Sequence, residues 1–212
     1  PALYSLMNYA DMSLGTWYPK GGMFKIVEGM VALAEEKGVT FRTQAEVLSF
    51  VVEGGKVQAV ETTQGRFAAD AVVAGSDYHH TESLLPKQYQ SYSADYWDKR
   101  VMAPSSLLFY LGLNKRVKNL LHHNLFFHED LRAHSVEIYE KPAWPTRPLF
   151  YVSVPSQTDD TVAPAGCENM FLLMPVAPNL EDNEDIREKY YNLMIDQLEE
   201  LTGQKIREHV VY

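Results

Sequence analysis

Apolar residues at Met23, Ile26, Val27, Met30, Leu33 and Ala34 recur every three to four positions, with Lys25, Glu28, Glu35 and Glu36 between them. That is the period of an amphipathic helix. Gly22 is placed to cap its start, Lys37 suits its negative end, and Gly38 is the expected left-handed terminator, after which 39–42 read as a short strand. The pattern then switches to period two. Residues 45–52 and 56–62 are rich in β-branched and other apolar side chains and flank Gly54-Gly55, which predicts a hairpin. A third short strand follows at 66–68 after the Gln64-Gly65 turn, and 71–75 are apolar on both faces, as in a strand inside a sheet.

Beyond Asp77 the pattern predicts short helices at 79–85 and 93–100, a long strand at 105–113, and further strands at 122–127, 136–139, 149–154 and 169–174. Pro142, Pro145, Pro148, Pro155, Pro164, Pro175 and Pro178 punctuate the connections. Asn183 is a cap for a closing helix, with Glu184 and Asp185 at its positive end and Ile186, Tyr190, Leu193, Met194, Leu198 and Leu201 along one face. Gly203 ends it, and 206–212 read as a strand entered just before the chain stops. The fold class is α+β, with a mostly antiparallel sheet and flanking helices.

Composition narrows the function classes. With 46% hydrophobic and 22% charged residues in 212, the chain is an ordinary globular protein. Its net charge of -9 opposes a phosphate-binding surface, so nucleic acid is not an expected partner. Cys167 is the only cysteine, which rules out an intrachain disulfide and a thiolate metal cluster and fits a reducing cytoplasm. No signal peptide is visible, and no stretch reaches the ~18 uninterrupted apolar residues of a spanning helix. Peripheral membrane contact stays open. Both ends read as cuts within a longer chain.

Candidate chemistry is sparse. The pairs His79-His80 and His122-His123 point to opposite faces if extended, and no helical His-x-x-x-His is present, so no metal is expected. Gly75-Ser76-Asp77 is not a nucleophile elbow, and the 181–185 carboxylates suit a solvated helix start. No Gly-x-Gly-x-x-Gly occurs, so these residues cannot complete a Rossmann-type pyrophosphate site. Trp17, Tyr18, Phe109, Tyr110, Phe126 and Phe127 would suit an apolar tunnel or an ordinary core. His122 and His123 are base candidates only because imidazole titrates near neutrality.

Gly15-Thr16-Trp17-Tyr18-Pro19-Lys20-Gly21-Gly22-Met23, the helix to Gly38, the strand at Glu46-Val47 and Gly65-Arg66-Phe67-Ala68-Ala69-Asp70-Ala71-Val72-Val73 together resemble the central part of bacterial phytoene desaturases. Leu111-Gly112-Leu113, His122-His123-Asn124, Pro155-Ser156-Gln157-Thr158-Asp159 and Ala163-Pro164-Ala165-Gly166 resemble the same family's middle region. The resemblance covers nearly the whole chain.

The resemblance implies a central fragment of an FAD-dependent carotenoid oxidoreductase with a glutathione-reductase-like fold. Residues 1–15 and 77–212 would belong to the substrate-binding domain. Residues 16–76 would be the helix and β-meander of the FAD domain, with the Rossmann part incomplete. FAD would belong to the parent protein, not to the fragment, which alone would be inactive. The parent would desaturate a long apolar polyene such as phytoene, with hydride transfer to flavin. By resemblance Val47 meets the adenine of FAD through its backbone, and Trp17, Tyr18, Phe109 and Phe126 are the candidates for substrate contact. The catalytic base is unassigned, and self-association stays open. Alternatives are a retinol-saturase or amine-oxidase type of flavoprotein and a non-catalytic apolar-ligand or partner-binding module.

Overall fold

The computed structural model describes residues 2–212 and divides into two compact units, one of residues up to Ala34 together with Ala103–Tyr212, the other Glu35–Met102. Helix α1 spans Ala2–Leu14 and α2 Phe24–Glu36. The period-3.6 pattern of α2 is the predicted one, yet its apolar residues are open to solvent, with Phe24 66%, Met30 68% and Leu33 57% exposed. Gly38 adopts φ 84° and donates its N–H to the Glu35 carbonyl, closing the helix as expected of glycine.

The smaller unit is built on an antiparallel meander of β1 (Val47–Glu53), β2 (Lys56–Thr62) and β3 (Gly65–Ala68). Gly54 and Gly55 both take positive φ, 56° and 75°, which gives the tight turn whose twist matches a two-residue hairpin. Phe50 and Ala59 are its buried apolar residues. Two short helices follow, α3 (Tyr78–Ser83) and α4 (Ala94–Asp98). Asp77 caps α3 by accepting from the His80 N–H, and Ser93 caps α4 by accepting from the Tyr96 N–H. The buried Glu82 carboxylate accepts from the Ser91 and Tyr92 amides and the Trp97 indole, tying the two helices together.

Two predicted strands of this region are absent. Residues 39–42 and 71–75 carry no ladder, because no strand among the described residues lies alongside to take their N–H and C=O groups. Their apolar side chains stand in solvent instead, Phe41 47% and Val73 97% exposed.

The larger unit contains β4 (Ser105–Leu113), β5 (His123–Phe126), α5 (Leu131–Tyr139), β6 (Phe150–Ser153), β7 (Glu168–Val176) and α6 (Glu184–Thr202). The four strands form an antiparallel sheet in the order β4-β7-β6-β5. Strand β7 is its spine: Met170, Leu172, Met174 and Val176 turn one way into the core, where they meet Tyr190, Met194, Ile195 and Leu198 of α6. Asn183 caps α6 by accepting from the Ile186 N–H, and Gly203 closes it at φ 68°.

Two further expectations are corrected here. Residues 136–139 are the last turns of α5, not a strand. The Asp130 carboxylate accepts from the Arg132 N–H to start the helix, and His134 and Ile138, one turn apart, are its buried side. His134 accepts from the Leu149 N–H at Nδ1 and donates from Nε2 to the Pro175 carbonyl, so its ring staples α5 to the sheet as the neutral Nε2–H tautomer. Residues 206–212 form a short 3-10 turn, Arg207–His209, and only a single bridge between Val210 and Leu113. That turn is held by Glu199, which accepts from the amides of Ile206 and Arg207.

Because Met194 has no exposed surface while Asn183 acts only at a helix end, truncations at the two should separate. Met194→Ala is expected to cost about 2–5 kcal/mol and Asn183→Ala about 1 kcal/mol in urea unfolding followed by circular dichroism.

Candidate functional site

The face of the four-stranded sheet turned away from α6 is apolar and open. In the shared register, Leu108, Leu173, Tyr151 and Leu125 lie in one row across the strands, and Tyr110, Phe171, Ser153 and His123 in the next. An antiparallel sheet with one solvated face normally turns polar residues outward. Here Leu108, Tyr110 and Leu125 are 40%, 65% and 65% exposed, so a sizeable apolar surface is left facing outward. Two concavities of about 350 Å³ each are set into it, one beside α5 against Leu125, Tyr151, Leu173 and Ile138, the other against Tyr110, Gly112 and Phe171.

Aromatic rings form a continuous track across this face. Tyr110 lies 5.0 Å from Phe171, Phe171 6.4 Å from Tyr151, and Tyr151 6.0 Å from His123 between ring centroids. His123 is 4.3 Å from His122, which in turn meets Tyr18 edge-on at 4.6 Å. The track therefore starts on β4, crosses β7, β6 and β5, and ends on the loop before α2. Two of its five contacts are edge-on, one is stacked and two are tilted.

The far end is polar and tightly bonded. Asp159 is 2% exposed and accepts from the Gly21 N–H at 2.6 Å, from the Thr161 N–H at 3.0 Å and from the Thr161 hydroxyl at 2.6 Å. The Thr161 hydroxyl, with the two amides and Lys20 nearby, holds the Asp159 carboxyl down at about 2. Gly21 has φ 93°, so the latch is made to backbone that favours glycine. Burial pushes the Tyr18 phenol up, and the adjacent Asp159 charge and hydrogen bond add to it. Burial and the neighbouring His123 hold the His122 imidazole below its usual value against the pull of Asp159. His122 Nδ1 is bonded to the Thr158 hydroxyl at 2.6 Å, and His123 Nδ1 to the Tyr151 hydroxyl at 2.5 Å.

The residues singled out from sequence fall in different places. Tyr18 is part of the track, and Trp17 beside it is 88% exposed with its indole N–H on the Leu14 carbonyl. Phe109 and Phe126 lie on the opposite side of the sheet, packed on the core, Phe109 edge-on to Tyr191 of α6 and Phe126 stacked on Phe150. Tyr110, which suits an apolar tunnel by its sequence, lies on the open face, and so do Phe171 and Tyr151, which the sequence reading does not name. The signal that could have found them is the strict alternation of β4 and β7, which sends Phe109 and Tyr110 to opposite faces.

Val47, in the smaller unit, opens β1 opposite Thr62, and the register skips Leu48 before resuming at Ser49. Such a bulge re-aims the chain at a strand end. A pyrophosphate asks for something else, a glycine-rich turn feeding a helix start, and no Gly-x-Gly-x-x-Gly is among these residues. Among the described residues, no group of three or more His, Cys, Asp or Glu side chains is arranged to hold a metal, and no helix is long and apolar enough to cross a membrane.

The Asp159 latch sets an acid dependence. Its folded value of about 2 lies below that of the unfolded chain, so the stabilisation is complete above about pH 4 and is lost as pH falls toward 2. Asp159→Asn is expected to flatten the stability curve over that interval and to speed hydrogen exchange at the Gly21 amide; an unchanged acid limb would show that the latch contributes nothing.

Residues 5–116 match the FAD dependent oxidoreductase family. Over its full length the chain is 43% identical to a carotenoid 3,4-desaturase of Haloarcula japonica, of which it covers 43%. It is 37% identical to a phytoene desaturase of Cercospora nicotianae over 86% of the chain and 30% of that protein. With a zeta-carotene-forming phytoene desaturase of Myxococcus xanthus it shares 32% identity over 92% of the chain and 39% of the relative. The chain thus spans well under half the length of these relatives. An oxidoreductase from Methanosarcina mazei shares the fold at TM-score 0.64 and 18% identity, over 92% of this chain and 42% of that one. With more than half of its residues inside the family match, and with carotenoid and phytoene desaturases as its similar relatives, the chain belongs to the FAD dependent oxidoreductases.

Proposed function

We propose that this chain carries the substrate-facing sheet of a carotenoid desaturase, and that the aromatic track is where a long polyene lies. The track itself is the observation that carries this reading. A conjugated or partly saturated chain offers flat, apolar surface and no hydrogen-bonding groups along its length. It is matched by rings that present π-faces and edges in sequence and by aliphatic Leu108, Leu125 and Leu173 in the adjoining row. Trp17 and Tyr18 close the end of the track, whereas Phe109 and Phe126 support it from the core side. The relatives' names fit such a substrate.

In this reading the flavin, when bound, supplies the hydride acceptor, and the protein supplies orientation and a dry surface. Val47 holds the adenine side through its backbone, while the pyrophosphate cradle comes from sequence outside these 212 residues. Residues 1–15 and 77–212, joined by Trp17 and Tyr18 of the loop before α2, serve the substrate, and the remainder of 16–76 the cofactor. The larger unit binds and orients the polyene; Tyr151 and Phe171 fix its plane, and the Asp159 latch keeps the loop bearing Trp17 and Tyr18 from swinging free. An amine-oxidase type of chemistry would ask for an anionic or caged site for an ammonium group, and the two rows of the open face carry no carboxylate. A retinol-saturase type is separated by product identity, and a non-catalytic module by failure to take up flavin.

The test uses the full-length protein loaded with FAD under anaerobic conditions. A C40 polyene is expected to bleach the flavin and yield a product with one more double bond, and a protein that purifies without flavin and cannot be loaded would overturn the reading. Phe171→Ala is expected to weaken polyene binding about tenfold or more, since a phenyl that the bound polyene covers forfeits about 1.5–3 kcal/mol when deleted.

A further inference from the structure

Three buried polar side chains outside the aromatic track are joined through one turn. Glu168, Ser156 and Asp159 are each no more than 2% exposed. Glu168 opens β7, and its carboxylate accepts from the Val117 N–H at 2.7 Å, from the Gln157 amide at 2.5 Å and from Arg116 at 3.4 Å. Gln157 closes the 3-10 turn Pro155–Gln157, and Arg116 also donates to the carbonyl of Ser156 in that turn. The next residue of β7, Asn169, accepts from the Ser156 N–H at 3.0 Å and donates its own N–H to the Ser156 hydroxyl at 3.2 Å. The first two residues of β7 therefore clamp the turn through its side chains and its backbone.

The turn hands that position on. Its Pro155 carbonyl accepts from the N–H groups of Thr158 and Asp159, so both residues are fixed to it. Thr158 holds His122 Nδ1 at 2.6 Å, and Asp159 holds the Gly21 N–H at 2.6 Å. Gly21 stands three residues before Phe24, where α2 begins, and the Lys25 N–H is bonded to the neighbouring Gly22 carbonyl. One end of the network is thus two residues from Phe171 of the track, and the other is the start of α2. Burying a carboxylate among three donors gains little stability over an apolar filling of the same volume. What a fully satisfied network adds is one fixed arrangement of the segments it joins.

We infer that Glu168 is a positioning residue for the desaturation: through residues 155–159 it sets where the loop 15–23, and the start of α2 with it, stands against the sheet. The inference rests on the preceding proposal that the sheet carries the polyene and that α2 and the meander serve the cofactor. Glu168 is buried and touches neither. It acts through Gln157, Thr158 and Asp159, and a displaced loop would spoil the approach of substrate to cofactor while leaving the rings of the track in place. Misplacement of reacting groups by about 1 Å costs on the order of 100-fold in rate.

The full-length protein loaded with FAD tests this with Glu168→Gln, which keeps the side-chain shape but turns an N–H donor toward Arg116 and Gln157. Amide exchange read by mass spectrometry is expected to quicken about tenfold over residues 15–23, a segment Glu168 does not touch, while β4 and β7 keep their protection. In the same variant the polyene dissociation constant is expected to stay within about twofold of wild type. The anaerobic rate at which bound polyene reduces the flavin is expected to fall about tenfold or more. Gln157→Ala, which cuts the link to the turn without removing a charge, is the second variant, with the same pattern expected. In an Asp159→Asn background Glu168→Gln is expected to add nothing to exchange at 15–23, because both act along one path. Unchanged exchange at 15–23 in both variants, exchange that quickens as much in β7 as at 15–23, a loss of flavin reduction no larger than the loss of polyene binding, or additive effects in the double variant would overturn the inference while leaving the polyene reading standing. A wild type that neither binds a C40 polyene nor has its flavin reduced by one would overturn both.

Discussion

Everything in the larger unit depends on the alternation of one strand. In β7, residues at even positions from 168 to 176 are buried, those from Met170 to Val176 in the core with α6, and residues at odd positions from 169 to 175 form the open face. A shift of one residue would exchange the two sets, placing Phe171 and Leu173 in the core and Met170 and Leu172 outside. Nine consecutive pairs with β4 hold that register. It is pinned at one end by Glu168, whose buried carboxylate accepts from the Val117 N–H, Arg116 and Gln157, and at the other by the Pro175 carbonyl, bonded to the His134 ring. Burial pushes the Glu168 carboxyl up despite those partners, so the pin is made at an electrostatic cost that the ladder absorbs.

The elements legible in the sequence were those whose periodicity was long and whose ends were marked by residues with one conformational use. The closing helix had Asn183 and Gly203, the hairpin had Gly54-Gly55, and the strand Ser105–Leu113 was bounded as read. Val-Glu-Ile-Tyr at 136–139 misled because β-branched and aromatic residues suit a strand, and four residues are too few for period to decide. The deciding facts were the Asp130 cap six residues earlier and the buried His134. Segments 39–42 and 71–75 have the composition of strands, but a strand exists only with a neighbour, and a neighbour is not a property of the segment.

The site was less legible for a related reason. Its rings come from β4, β7, β6, β5 and a loop that precedes all four strands, with Tyr18 and Tyr110 far apart in sequence, so no local motif contains it. Alternation predicts that Phe109 and Tyr110 part company, yet with apolar residues on both faces it does not say which face is the core. That was settled by α6, which covers one of them. The loop at Gly15 to Met23 was conspicuous in the sequence for its glycines. Its anchor, Asp159, lies 138 residues further on, and what the glycine at 21 provides is a backbone N–H aimed at that carboxylate.

Residues 71–75, apolar, outside any helix or strand and with Val73 almost wholly exposed, have a consequence for handling the 212-residue chain by itself. An extended stretch with unpaired N–H and C=O groups and little charge is a template for another copy of the same stretch. The chain alone at high concentration therefore carries its own nuclei for cross-strand aggregation, and a single Lys at Val73 would act as a gatekeeper without touching the sheet, the track or the latch.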